Sequence, residues 1–230
     1  MKLSEKTTNI LKNFSNINTS ILFKEGNVVR TISNMKNIYA EAIVDENFPR
    51  DFGVYDLPQF LNGLNLHRQA DLNFDNESYL VIKEGRSRSK FFFAAESTIV
   101  TPPDKRITLK QEEINFNIDT NQLDKLLKAS AVFDAPDLSA IGKDGTIELV
   151  VRDKRNDTSN DYSVNVGETD LEFVCNFKVE NLKIISGSYD VCLSRERSGI
   201  GRFTSKDYDL TYYIALEPDS VFNSKIAIEE

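Results

Sequence analysis

The chain sets out one plan twice. A short amphipathic helix with lysines on its outward face, followed by strands, a second short helix and more strands, occupies residues 1 to about 110 and then recurs from about 111 to the end. Each copy has to bury one helical stripe against the apolar face of its strands, which gives an α+β fold of two similar domains, 1–110 and 111–230. Outward lysines on duplicated helices point to a surface that positions nucleic acid or partners.

In the first half, Ser4 caps a helix to about Phe14, with Leu3, Thr7, Ile10, Leu11 and Phe14 on one side and Lys2, Glu5, Asn9 and Lys12 on the other. Strands are predicted over Ser20–Phe23, Val28–Ser33, Ile38–Val44 and Phe52–Tyr55, an antiparallel meander broken by turn residues such as Gly26-Asn27. Asp56 and Gln59 form a capping-box pattern for a second helix on Leu57, Phe60, Leu61 and Leu64, with Pro58 tolerated in its first turn. Strands at Asp71–Phe74, Tyr79–Lys83 and Lys90–Ala94 lead to Thr101-Pro102-Pro103-Asp104-Lys105-Arg106, whose adjacent prolines favour an extended backbone and mark a linker.

The second half opens with a strand at Ile114–Ile118. Asp119 and Gln122 then start a helix to about Phe133, with Leu123, Leu126, Leu127 and Ser130 inward and Asn121, Lys125 and Lys128 outward. Leu138–Gly142 and Thr146–Arg152 flank Asp144-Gly145, a hairpin signal. Strands at Ser163–Val166 and Leu171–Phe177, a short helix around Val179–Ile185, and strands at Tyr189–Arg195, Gly201–Thr204 and Leu210–Leu216 follow, with a tail over Asn223–Glu230.

The formal net charge of −8 is divided unevenly: residues 1–110 carry 15 Lys+Arg against 13 Asp+Glu, and residues 111–230 carry 13 against 23. The asymmetry suits attraction between unlike halves of neighbouring copies, and equally suits two solvated surfaces of different composition. No run approaches the ~20 apolar residues of a membrane helix, so a soluble, intracellular protein is expected. Cys175 and Cys192 sit in strand-like runs and read as reduced core thiols. Nothing is spaced for catalysis or metal binding. His67, the single histidine, reads as a surface or capping residue, and Ser198-Gly199-Ile200-Gly201 as a hairpin turn rather than a dinucleotide loop.

Met1-Lys2-Leu3-Ser4 with Thr7-Thr8, Leu11-Lys12-Asn13-Phe14, Tyr39-Ala40-Glu41-Ala42, Tyr55-Asp56-Leu57, Ala94-Ala95-Glu96-Ser97, Asn181-Leu182-Lys183 and Ala215-Leu216-Glu217 resemble, in order and spacing, the sliding clamps of T4-type bacteriophages. The resemblance runs from Met1 to about Ser220; the polar loop at 153–160 and the segment beyond Phe222 depart from it. It implies a DNA clamp fold: a homotrimeric ring joined head to tail, with sheets outside and helices lining a hole for double-stranded DNA. It also implies a DNA polymerase as partner, an ATP-dependent clamp loader, late-transcription factors, no cofactor, no metal, no enzymatic activity, no membrane, and a place in the cytoplasm of an infected bacterial host.

On that basis the DNA-facing candidates are Lys2, Lys6, Lys12, Arg68, Lys125, Lys128, Lys178 and Lys183, each of which also suits a plain solvated face. A partner-peptide pocket is expected near Ile99, Val100, Pro102 and Pro103 and the later Leu216, Pro218 and Val221, where a purely structural connector fits as well. The rival from another class is a direct nucleic-acid binder built on Arg86-Ser87-Arg88-Ser89-Lys90 and Phe91-Phe92-Phe93. Against it, three consecutive rings on a strand cannot share a face, so a hairpin with solvated arginines and mostly buried rings accounts for the same residues.

Overall fold

A computed structural model, which describes residues 1–223, divides the chain into two units, Met1–Arg106 and a second beginning at Ile107. Helix α1 of the first unit spans Glu5–Ile17 and buries Thr7, Ile10, Leu11, Phe14 and Ile17. The Ser4 hydroxyl accepts from the Thr7 N–H at 3.1 Å. Buried Glu46 accepts from both the Ser4 N–H and the Thr7 hydroxyl, placing a carboxylate at the positive end of the helix. Helix α2, Leu57–Asn65, starts where Asp56 accepts from the Gln59 N–H at 2.8 Å, and its buried Leu57, Phe60, Leu61 and Leu64 form the stripe that the spacing requires. The two helices pack side by side.

The strands of this unit are β1 (Ile21–Phe23), β2 (Gly26–Ile32), β3 (Ile38–Phe48), β4 (Phe52–Val54), β5 (Asp71–Asn73), β6 (Tyr79–Glu84) and β7 (Ser87–Phe92). Antiparallel pairing joins β1 to β4, β2 to β3, and β5, β6 and β7 in succession. A ring cluster fills the core: Phe23 stacks on Phe52 at 4.6 Å, and Phe48, Phe74 and Phe93 surround Phe52. Gly53 is required there, since a Cβ would lie 2.6 Å from the Ala94 carbonyl oxygen.

The second unit contains β8 (Ile114–Ile118), helix α3 (Thr120–Phe133), β9 (Asp137–Lys143), β10 (Thr146–Arg152), β11 (Tyr162–Glu168), β12 (Glu172–Lys178), β13 (Tyr189–Ser194), β14 (Ile200–Ser205), β15 (Leu210–Ala215) and β16 (Val221–Asn223). One antiparallel sheet runs β11-β10-β9-β12-β16, with seven-residue β11 at one rim and three-residue β16 at the other; β15, β14, β13 and β8 pair in that order. Helix α3 packs on β10 and β11 and carries the full capping box: Asp119 accepts from the Gln122 N–H at 2.8 Å, and the Gln122 side chain accepts from the Asp119 N–H at 3.0 Å. Asp144 and Gly145 both take positive φ in the β9–β10 hairpin.

Two local expectations are corrected. The helix predicted around Val179–Ile185 is a single 3-10 turn, Val179–Asn181, followed by irregular backbone. Its Lys178 N-cap supplies no side-chain hydrogen bond, three of its residues are β-branched, and tertiary partners take its backbone groups: the Ile185 N–H donates to the Tyr212 hydroxyl at 3.2 Å and the Tyr189 hydroxyl donates to the Ile185 carbonyl at 2.5 Å. Asn223, placed in a tail, instead belongs to β16, which pairs with β12; the rest of that predicted tail lies outside the described residues. Among the described residues no helix is long and apolar enough to cross a membrane.

Candidate nucleic-acid interface and partner pocket

In the first unit the N-terminal ammonium donates to Asp71 at 2.7 Å and to the Leu72 carbonyl at 2.9 Å, while the Leu72 N–H returns a bond to the Met1 carbonyl. This tether brings Lys2 beside the segment that follows α2: Lys2 Nζ donates to Gln69 at 3.2 Å. Lys2 and Arg68 line one surface hollow with Thr8, Asn65 and Gln69. Lys12 is exposed on the wet side of α1, and Lys6 is half-buried one helical turn and more before it. Lys2 and Arg68, 66 positions apart in sequence, thus share a cationic concavity that can accept a phosphate without reading a base.

In the second unit Lys125 and Lys128 are both exposed on α3, one turn apart, opposite buried Leu123, Leu126 and Ser130. Lys183 is exposed on the segment leading to β13; that segment is fastened along α3 by Ser186 donating to Asp124 at 2.8 Å and by the Thr120 N–H donating to Ser188 at 3.2 Å. Lys178 is placed differently. Its Nζ lies 2.5 Å from Asp137, a fully buried carboxylate, so its charge is already matched. Lys154 joins the same network, 2.8 Å from Asp219, whose carboxyl it holds below the usual carboxylate range; Asn176 also donates to Asp219, at 3.2 Å.

Of the pocket candidates, Pro102 and Pro103 line a small cavity with Leu22 of β1 and Val28 of β2, bordered by Lys24, Arg30, Glu96 and Asp104. The apolar floor and the charged border suit one aliphatic side chain flanked by polar backbone. Lys24 pairs with Asp51 at 3.0 Å and with Glu96 at 3.6 Å. The Glu25 backbone N–H, then the Lys24 ammonium, hold Asp51 below the usual carboxylate range. Ile99 is buried, next to Gly53, and Val100 is exposed. In the second unit Leu216 is buried against Gly199, while Val221 is exposed on β16 and Pro218 lies in the turn before it. Sequence reasoning found the prolines but missed Leu22, Val28 and Arg30, whose only signal is their alternation along short strands.

His67 is a buried residue rather than a surface one: its Nε2 is 3.2 Å from the Ser89 hydroxyl, because the segment after α2 passes beneath β7. Both cysteines are free and buried. On the β6–β7 hairpin, Arg86 and Arg88 are exposed, Phe91 packs edge-on to Phe60 and Phe93 sits by Phe52, which leaves Phe92 facing outward beside Tyr79. One outward ring does not make a stacking platform for successive bases.

The family model described as DNA polymerase processivity factor matches residues 2–101, and that described as gp45 sliding clamp, C terminal, matches residues 115–218. The sliding clamp of Vibrio phage KVP40 is 32% identical over 224 residues, 94% of this chain and 99% of its own. That of Enterobacteria phage T4 is 31% identical over 227 residues, 96% of this chain and 98% of its own. Among solved structures, the proliferating cellular nuclear antigen of Entamoeba histolytica superposes with a TM-score of 0.69 at 10% identity, covering 94% of this chain and 97% of that one. The A. fulgidus PCNA in a complex with the C-terminal region of FEN-1 gives 0.68 at 14% identity, covering 91% and 94%. The antiparallel sheets and three helices described above are thus those of the DNA clamp fold, and with two family models together spanning most of its length the chain belongs to the sliding-clamp family of DNA polymerase processivity factors.

Proposed function

We propose that this chain is one subunit of a ring of three copies, joined head to tail, that encircles double-stranded DNA and tethers a DNA polymerase to it without catalysing a reaction of its own. The observation that carries the reading is the placement of cations on and beside the helices of an acidic protein. Lys2 and Arg68 line one hollow, and Lys125 and Lys128 project from α3, while the chain as a whole carries −8. Local positive charge within about a Debye length, ~8 Å at physiological salt, governs the approach of a phosphate backbone, so a net-negative exterior is compatible with a cationic lining. Phosphate contacts alone leave the ring free to slide. Lys6, Lys12 and Lys183 belong to the same lining; Lys178, paired with Asp137, contributes least.

Processivity then follows from effective concentration: a polymerase bound to an enclosing ring rebinds its primer end before it diffuses away. The cavity under Pro102 and Pro103 is the proposed seat for a side chain of the polymerase or of another partner; the A. fulgidus protein bound to the C-terminal region of FEN-1 supports partner binding as such. An ATP-dependent loader opens the ring, late-transcription factors use it on DNA, and the setting is the cytoplasm of an infected bacterium. The test is retention after loading: the protein should stay on closed circular DNA and run off when the circle is cut, with a solution mass of three copies at micromolar concentration. Equal retention on cut DNA with blunt, free ends would instead establish a direct binder.

A further inference from the structure

The wall of the partner cavity is tied down by one buried carboxylate. Glu41 of β3 is 5% exposed and stands opposite Arg30 of β2 in the strand register. Arg30 Nε donates to one Glu41 oxygen at 2.6 Å, the Tyr39 hydroxyl donates to the same oxygen at 3.0 Å, and Arg106 Nε forms an ion pair with the other at 2.7 Å. Arg30 also reaches the Asp104 carbonyl at 3.3 Å. Burial, and then the Glu41 charge, push the Tyr39 hydroxyl well above its ordinary range, so it remains a donor throughout neutral pH. Asp104 and Arg106 are therefore both fastened to the β2–β3 pair, and the connecting segment narrows the hollow over half-buried Leu22 and Val28.

As it stands, the cavity is partly open and offers about 40 Å³, room for about three waters. That volume is too small for a whole aliphatic side chain, which seats fully when the connector lifts, and the arm that yields first is Arg106, whose side chain is 62% exposed, rather than Arg30 at 26%. We infer that Glu41, Arg30 and Arg106 form a latch on the partner cavity: positioning residues that set how readily the connector opens to admit an apolar side chain of a partner peptide. The inference rests on the partner reading of that cavity. The latch works against binding, so weakening its outer arm should tighten binding, the reverse of what loss of a contact residue does.

The full-length protein and Arg106→Ala are compared by amide exchange at 104–106 and by following the Leu22 and Val28 methyl signals during titration with N-acetyl-leucinamide. In Arg106→Ala, exchange should rise and the probe should bind more tightly, each by about two- to fivefold, the range of a half-exposed ion pair. Arg106→Lys should restore most of both, and added salt should loosen the wild type more than Arg106→Ala, which keeps only the less exposed Arg30–Glu41 pair. Unchanged exchange, or weaker probe binding in Arg106→Ala, overturns the latch. Raised exchange with no probe binding to either protein upholds the latch and removes the partner reading of the cavity.

Discussion

Cys175 shows how burial of one atom becomes a pH dependence. Burial pushes its thiol from 9.0 up to about 12, with the Glu113 charge adding to the effect. The folded protein therefore keeps a proton that the unfolded chain releases at lower pH; the resulting stability is complete below about pH 9 and is lost as pH rises towards 12. Buried tyrosines such as Tyr189 shift in the same direction, so the comparison has to isolate the thiol. Between pH 8 and pH 10.5 the wild type should lose about 2 kcal/mol more than Cys175→Ala, read from urea unfolding at each pH. Parallel losses in the two proteins would show that the thiol ionises freely in the folded state. A thiol reagent at pH 8 should likewise modify neither cysteine until the protein unfolds, as both are buried.

At the scale of single elements, α1 depends on a residue outside it. Ser4 supplies the cap, but Glu46 on β3 takes the Ser4 N–H and the Thr7 hydroxyl, tying the helix start to the sheet. Glu46→Ala leaves those donors without their acceptor inside the fold and should cost about 2 to 4 kcal/mol, with amides in the first turn of α1 exchanging faster than those in α3. A uniform change across both helices would deny Glu46 that local role. The same contrast explains what the sequence made legible. The α3 start is written in adjacent residues, Asp119 and Gln122, and its box forms as their spacing predicts. The 179–185 segment has helical-looking apolar spacing, yet Tyr189 and Tyr212 claim its backbone from elsewhere in the fold. Pro102 and Pro103 marked a linker because proline restricts its own neighbourhood, and the family resemblance placed the pocket beside it; Leu22, Val28 and Glu41 lie about 60 to 80 residues earlier, and their convergence is a product of strand pairing that no local pattern records. Of the basic candidates, those on regular helix faces could be placed by periodicity, whereas the pairing of half-buried Lys178 with buried Asp137 could not.

For the molecule as a whole, the decisive quantity is where charge sits rather than its sum. Lys125→Glu with Lys128→Glu reverses two exposed positions on α3 while leaving its buried Leu123 and Leu126 stripe intact. The doubly substituted protein should keep its melting temperature and its solution mass, load onto circular DNA less readily, and show a flatter dependence of loading on salt, because fewer condensed counterions are released. Unaltered loading with an unaltered salt slope would remove α3 from the DNA-facing surface. The sheet that begins at β11 presents all seven residues of that strand along one rim, and near its other rim Ser220 accepts from the Asn176 N–H at 2.9 Å. A strand approaching β11 finds a full row of backbone donors and acceptors, so under the proposed assembly this is the flank that a neighbouring copy would cover.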